Sequence, residues 1–543
     1  ESERLHELFE ADWARTMDEH PEAATYTGWP ENHDRWTDLS VAAVERRRSE
    51  AGDLLGQLAS FDAAELTVED RVSLDMAAYL EGAEVAAAGF PGDYLPLNQM
   101  EGPQLDPAFL LSVMPRQTSR HHDDLLSRIR LLPDVIDQSI ELLVRGLEMG
   151  LTPPAVCLRE VPGQVEALLS DDPAVNPVLL SLGGTPDEVQ REAAAIVAER
   201  VSPAYGRLLD HLVGTYLPAC RDTVGLSDLP DGVDWYAERV RAHTTTWSLT
   251  PREIHETGMA EVARIGAAMD DVMSSTGFTG DRAAFARFLG EDARFQFPTE
   301  QALLAAYRDV AKRIDPAIPR LFGRLPRLPF GITAVPADQA PSQPAAYYMP
   351  GSIELGRPGM FYANTYDLSS RPSWNLESIC LHEAVPGHHF QLTLAQETEG
   401  LPRFRQQSLS CTAFVEGWGL YCESLGPELG LYGDPYQRFG ALDAEMMRAC
   451  RLVLDTGLHA LGWSREQAID FFAEHSVSPR HEIVVEVDRY IVWPGQALAY
   501  KVGELHLQRL RRERALAAGD DFDLRAFHDD LLRHGALPLD LLH

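Results

Sequence analysis

The run Leu381-His382-Glu383-Ala384-Val385-Pro386-Gly387-His388-His389-Phe390 constrains this chain more than any other stretch, because a regular helix cannot put its histidines to use together. An imidazole nitrogen is a good zinc ligand, and a neighbouring Glu can take a proton from a water that the metal activates. In the familiar helical arrangement, H-E-x-x-H, the two histidines stand at i and i+4 on one face. Here His388 follows His382 at i+6 and His389 at i+7. On a helix, i+6 points about 120° away, and i+7 regains the face about 10.5 Å further along the axis. Bonds of about 2 Å to one ion span neither separation. Pro386 removes the hydrogen bond that would reach back to His382, and Gly387 relaxes the backbone. A kink at this pair would swing His388 beside His382. The plain alternative is a helix that stops at Pro-Gly with histidines at its end. Glu383, placed as a general base would be, favours the metal.

The rest of the composition narrows what such a site can serve. The 543 residues can bury a large core without disulfide staples, and no long Gly/Ser/Pro linker divides them, so one large unit of two lobes is expected. The six cysteines (Cys157, Cys220, Cys380, Cys411, Cys422, Cys450) form no C-x-x-C pair and read as reduced thiols. That pattern favours a cytoplasmic protein, with an earlier upstream signal segment left open by the start at Glu1. Forty-seven basic residues against 83 acidic give a formal charge of −36, which disfavours nucleic acid and anionic membrane surfaces as partners. No apolar run reaches membrane-spanning length. Lysine occurs only at Lys312 and Lys501, which singles out each ammonium.

Helical periodicity dominates the order of elements. Leu5, Phe9, Trp13 and Met17 follow i, i+4 spacing, and an aromatic loop runs from Tyr26 to Trp36. His121-His122-Asp123-Asp124 has the look of a ligand cluster, but Leu125, Leu126 and Ile129 behind it make it helix surface. Thr250 and Pro251 supply an N-cap and first helical residue, and a further helix is expected over 300–314. Prolines then recur from Pro316 to Pro344, and Ala345–Tyr366 holds two β-prone stretches around Gly/Pro turns. These predict a small antiparallel hairpin or sheet just before the His-rich helix, whose edge could take a peptide by strand addition. A helix over 412–423 places Glu416 and Glu423 seven apart and on one side, where each needs a partner, a cation or an arginine. Later helices are expected over 441–460 and 465–475. Asp455 and His459 stand at i, i+4, and the interrupted stretch Glu486–Gly503 gathers Arg489, Tyr490, Tyr500 and Lys501. The division expected is a helical lobe over 1–314 and a hairpin with the metal-site helices over 315–543.

Four blocks, HEAVPGHHFQ, TAFVEGWGLYCE, DTGLHALGW and EVDRYIVWPGQALAYKVGE, resemble the bacterial domain-of-unknown-function family eight hundred and eighty-five, which is grouped with the thermolysin-like zinc metallopeptidases. The resemblance implies a mainly α, two-lobed metallopeptidase-like fold with a deep cleft. It also implies a Zn2+ ion on His382, His388 and Glu416, with His389 as the alternative second histidine and Glu383 as general base. The activity implied is a zinc-dependent peptidase of short peptides, dipeptidase or carboxypeptidase-like. Tyr490, Tyr500 and His459 are candidate donors to an oxyanion, and Arg489 and Lys501 are candidate anchors for a substrate carboxylate. Hydrolysis of a non-peptide amide, and a non-catalytic helical binding protein with a vestigial site, are the other readings.

Overall fold

Apolar residues at helical spacing fill most of the chain, and the computed structural model, which describes residues 1–336, 340, 343–353, 356–407 and 410–542, is accordingly mainly α-helical. Two compact units emerge, residues 1–238 and 239–543. The boundary expected at residue 314 falls inside the second of them.

In the first unit, α1 (Ser2–Glu19) buries Leu5, Phe9 and Met17 of the i, i+4 series. A longer helix, α2 (Ser119–Glu148), turns Leu125, Ile129, Leu132, Ile136 and Leu143 into the main core cluster. His121 and His122 lie in its first turn as helix surface. Arg128 of α2 is fully buried and donates to the carbonyls of Pro21 (2.8 Å) and Arg35 (3.0 Å). Its own carbonyl accepts the Trp36 indole N–H at 2.8 Å. The aromatic loop is therefore packing, tied down through the backbone groups that a loop must satisfy somewhere.

In the second unit, Thr250 caps α3 (Pro251–Ser275). Its hydroxyl accepts from Glu253 N while the Glu253 carboxylate accepts from Thr250 N, with Pro251 in the first turn. After α4 (Glu300–Ile314) comes a three-stranded sheet of β1 (Phe330–Ala334), β2 (Ala346–Met349) and β3 (Gly359–Ala363), in the order β1-β3-β2. β2 and β3 are the expected antiparallel pair, with Tyr348 opposite Phe361. Glu354 and Leu355 of the segment between them, and Pro341 before it, lie outside the described residues. β1 corrects the hairpin reading: it runs parallel to β3, Ile332 opposite Phe361. A parallel partner arrives by a long crossover, and no local pattern in a proline-rich stretch announces one.

Later helices of this unit include α5 (Leu376–Glu383) and α6 (His388–Glu397), which carry the His-rich run, and α7 (Thr412–Ser424), α8 (Pro435–Ala460), α9 (Arg480–Val492) and α10 (Ala499–Ala518). α7 and α10 cross at Gly417 and Gly503 with almost nothing between them. A Cβ on Gly417 would lie 2.5 Å from Gly503 Cα, and one on Gly503 would lie 1.8 Å from the Ala413 carbonyl oxygen. Backbones this close fix what each helix presents on either side of the crossing.

Candidate metal centre

The kink that the spacing demands is present. α5 makes its last helical bond from Ala384 N to Cys380 O at 3.0 Å, then Ala384 turns to ψ −97° and the Val385–Pro386 peptide is cis. A new helix begins at His388. A Cβ on Gly387 would stand 1.9 Å from His382 O and 2.4 Å from Leu381 O, so only glycine lets the chain fold back on the end of α5. The Trp418 indole pins the bend by donating to Pro386 O at 2.9 Å. The rings of His382 and His388 end 4.8 Å apart between centroids and nearly perpendicular, at 88°.

Glu416 reaches this pair from α7. One ligand atom from each of His382, His388 and Glu416 lies within 4.8 Å of the others. Glu416 Oε2 is 3.5 Å from His382 Nε2 and 3.6 Å from His388 Nε2. Two turns further along α7, Glu423 Oε1 stands 2.8 Å from His382 Nδ1, and its Oε2 accepts the Ser378 hydroxyl at 2.6 Å. A carboxylate only accepts, so Nδ1 carries a proton toward Glu423, and a metal that displaces the second proton from Nε2 would find that nitrogen's lone pair directed at Glu416. Beneath the ring, Gly419 leaves α7 bare: a Cβ there would be 2.7 Å from His382 Cε1.

His388 has a less settled partner. The Gln391 amide nitrogen stands 2.8 Å from His388 Nδ1 and 2.8 Å from Val415 O, while Gln391 Oε1 is buried with no hydrogen-bond partner among the described residues. Ligation through Nε2 places the proton on Nδ1, and the orphaned Oε1 becomes its acceptor once the amide turns over, at the cost of the bond to Val415. Two imidazole nitrogens and a carboxylate oxygen form the three-protein-ligand set of a catalytic zinc, so the residues present fit that ion.

The electrostatics agree with a cation. Burial opposes charge on Glu416, yet the two imidazoles hold it well below the usual carboxylate range. Burial likewise opposes a charged His382, but Glu416 and Glu423, then Glu383, push it up to about 10. Three carboxylates, Glu383, Glu416 and Glu423, gather here, with the Arg448 guanidinium 3.6 Å from Glu423. Glu383 is half-buried at the end of α5, and its carboxylate makes no hydrogen bond or ion pair among the described residues.

Other expected residues are placed differently. His389 faces the sheet, with Nδ1 2.8 Å from the Tyr348 hydroxyl and its ring 4.7 Å from Phe330; burial pushes it down to about 4, so it is neutral and outside the triad. His459 is fully buried and donates through Nε2 to the Tyr490 carbonyl at 2.9 Å, bracing α9 instead of facing a substrate. Lys501 is also fully buried, against Glu504 (2.5 Å), Glu445 (2.7 Å) and Glu261 (3.1 Å), and its ammonium is saturated. The Tyr490 hydroxyl donates to Glu486 at 2.7 Å and accepts from Arg451 Nε at 3.0 Å, so its proton is committed. Tyr500 and Arg489 stand together, the Arg489 Nη2 3.5 Å from the Tyr500 hydroxyl. Of the residues the sequence left unassigned, Glu423 had a signal in its i+7 relation to Glu416. Gly419, Gln391 and Arg451 had none, because a bare backbone and contacts between distant helices leave no local spacing.

Comparison with known proteins gives a family and a fold. A search of the curated proteins found no match. A crystal structure named as that of a "putative lipoprotein" from Colwellia psychrerythraea is 26% identical, with a TM-score of 0.93 over 99% of this chain and 97% of that one. A second, a "putative lipoprotein" of unknown function from Shewanella oneidensis, is 17% identical with a TM-score of 0.74, over 100% of this chain and 98% of that one, and shows the fold alone. The family model "Bacterial protein of unknown function (DUF885)" matches residues 21–543. This chain, with its bent histidine run, belongs to the DUF885 family.

Proposed function

We propose that this chain is a metal-dependent hydrolase of peptide bonds, acting on short peptides in the manner of a metallopeptidase, with zinc as the metal. The observation that carries the reading is the convergence of His382, His388 and Glu416 within 4.8 Å, beside a Glu383 carboxylate with no partner among the described residues. Zinc held by these three residues would supply Lewis acidity toward a carbonyl oxygen and a nearby water. Glu423 fixes the His382 tautomer, so the nitrogen offered to the ion is Nε2. Glu383 takes the proton of the attacking water and returns it to the leaving amine. Its lack of a competing bond is what such a shuttle needs. Non-peptide amides present the same carbonyl and leaving nitrogen, and are the neighbouring substrate class.

Location is part of the proposal. The lipoprotein description of the Colwellia psychrerythraea structure supports a place outside the cytoplasm, in preference to the cytoplasmic reading from the cysteines. No helix among the described residues is long and apolar enough to cross a membrane.

The test is a digest of a mixed peptide library by the zinc-loaded chain, read by mass spectrometry, beside Glu383→Gln. Cleavage by the wild type and a loss of about a hundredfold or more in the variant, with zinc retained, is expected. No cleavage by the wild type would end the peptidase reading, and loss of zinc in Glu383→Gln would make Glu383 a ligand instead of a base.

A further inference from the structure

A second charged cluster, which the metal chemistry does not use, gathers on α8, α9 and α10. Arg451 of α8 donates Nη2 to Glu486 Oε2 (3.0 Å) and Nε to the Tyr490 hydroxyl (3.0 Å), and its guanidinium lies 4.6 Å over the Tyr500 ring. Arg489 of α9 stands 3.5 Å from the other oxygen of Glu486 and donates to Gln496 Oε1 at 3.1 Å. Two guanidiniums therefore share one carboxylate, and the surplus positive charge is mostly buried. The Arg489 Nε is buried with no hydrogen-bond partner among the described residues. The Tyr500 hydroxyl, which Arg489 approaches at 3.5 Å, has no acceptor for its own proton among the described residues. Unused donors and an uncompensated cation are costly to bury unless an anion comes to them.

Helix geometry ties the cluster to the metal centre. Arg451 is one turn along α8 from Arg448, which lies 3.6 Å from Glu423, the carboxylate on His382. Tyr500 is one turn before Gly503, whose backbone touches that of Gly417, the residue after Glu416. Each step is about 5 Å along a helix, so the backbones that carry the cluster and the triad lie on the order of 10 Å apart. An extended peptide covers about 3.3–3.6 Å per residue, so a separation on the order of 10 Å spans about three residues.

We propose that Arg489 and Tyr500, backed by Arg451, form a carboxylate-binding pocket that holds the free C-terminus of the peptide. This rests on the peptidase reading for its substrate, and it makes the activity one that releases short C-terminal fragments. Arg489 presents the planar donor fork that a carboxylate matches, and Tyr500 adds an O–H donor beside it. Glu486, held down at about 2 by the two arginines against the cost of its burial, keeps both guanidiniums oriented.

The pocket is tested by binding as well as by cleavage. N-acetyl-trialanine and its C-terminal amide are titrated calorimetrically into zinc-loaded Glu383→Gln, which serves to hold the peptide uncleaved, alone and combined with Arg489→Gln or Tyr500→Phe. The acid is expected to bind about tenfold or more tightly than the amide, a preference abolished by Arg489→Gln and reduced several-fold by Tyr500→Phe. Unfolding temperature confirms that each variant is folded, and Tyr500→Phe, which removes one oxygen, keeps the test usable if Arg489→Gln is not. Equal binding of acid and amide, no binding of either, or a preference that survives both substitutions would overturn the proposal. If the acid preference holds while the wild type cleaves nothing, the pocket stands and the peptidase reading fails. If the wild type cleaves acid and amide peptides equally well, the peptidase reading stands and the pocket fails.

Discussion

Gly419→Ala offers the sharpest test of how His382 is held. The added Cβ would stand 2.7 Å from Cε1, 2.8 Å from Nε2 and 3.0 Å from Nδ1 of the imidazole. Ordinary contact begins near 3.4 Å, so the ring must withdraw by about 0.7 Å. It has nowhere to go. Glu423 holds Nδ1 at 2.8 Å, Ser378 holds Glu423 at 2.6 Å, and the His388 ring faces it at 4.8 Å. Overpacking of this kind costs about 1–3 kcal/mol. A ligand displaced from its supporting carboxylate loses about 10–100-fold in metal affinity. Calorimetric titration with zinc, and thermal unfolding in chelator, read the two effects separately. Gly290→Ala is the control, because nothing lies within 4 Å of a Cβ at that exposed helical position, and alanine there favours the helix. If Gly419→Ala binds zinc as the wild type does and unfolds at the same temperature, His382 is not clamped between α7 and Glu423.

Lys501→Met separates structure from substrate binding: leaving Glu261, Glu445 and Glu504 without their ammonium should cost about 3–5 kcal/mol in denaturant unfolding, with zinc stoichiometry unchanged. Full stability together with a raised KM would return Lys501 to the substrate. Asp443, buried on α8, gives a pH signature, since burial pushes its carboxyl from 3.8 up to about 6. The folded chain therefore keeps a proton that the unfolded chain releases between those values, so stability is full below pH 3.8 and falls as pH rises through 6, by about 3 kcal/mol. Asp443→Asn should accordingly be more stable than the wild type at pH 8 and equal to it near pH 4, as measured by denaturant midpoints. An equal difference at both pH values contradicts the cause assigned.

The convergence of His382, His388 and Glu416 was legible because its constraints are local. The i+6 spacing forbids a straight helix, and Pro386-Gly387 is the only place where the bend can occur. Glu416 and Glu423 share a side of one helix by period alone, and both reach His382. Helix ends with side-chain caps were equally readable, as Thr250 and Pro251 show. What stayed hidden depends on partners far away in sequence. Lys501 and Arg489 stand in one interrupted stretch and look alike as cations, yet three carboxylates from α3, α8 and α10 surround the first, while the second shares a single Glu486 with Arg451. His459 pairs with a backbone carbonyl 31 residues away, which no spacing rule anticipates. β1 was missed for the same reason, its partner β3 lying across a crossover.

Elemental analysis of the purified, zinc-loaded and desalted chain, beside Glu416→Gln and His388→Ala prepared identically, bears most directly on the centre built from His382, His388 and Glu416. The expected result is one zinc ion per wild-type chain and a large loss in both variants, with each variant still folded by circular dichroism. No stoichiometric zinc in the wild type, or a full complement in Glu416→Gln, would contradict it.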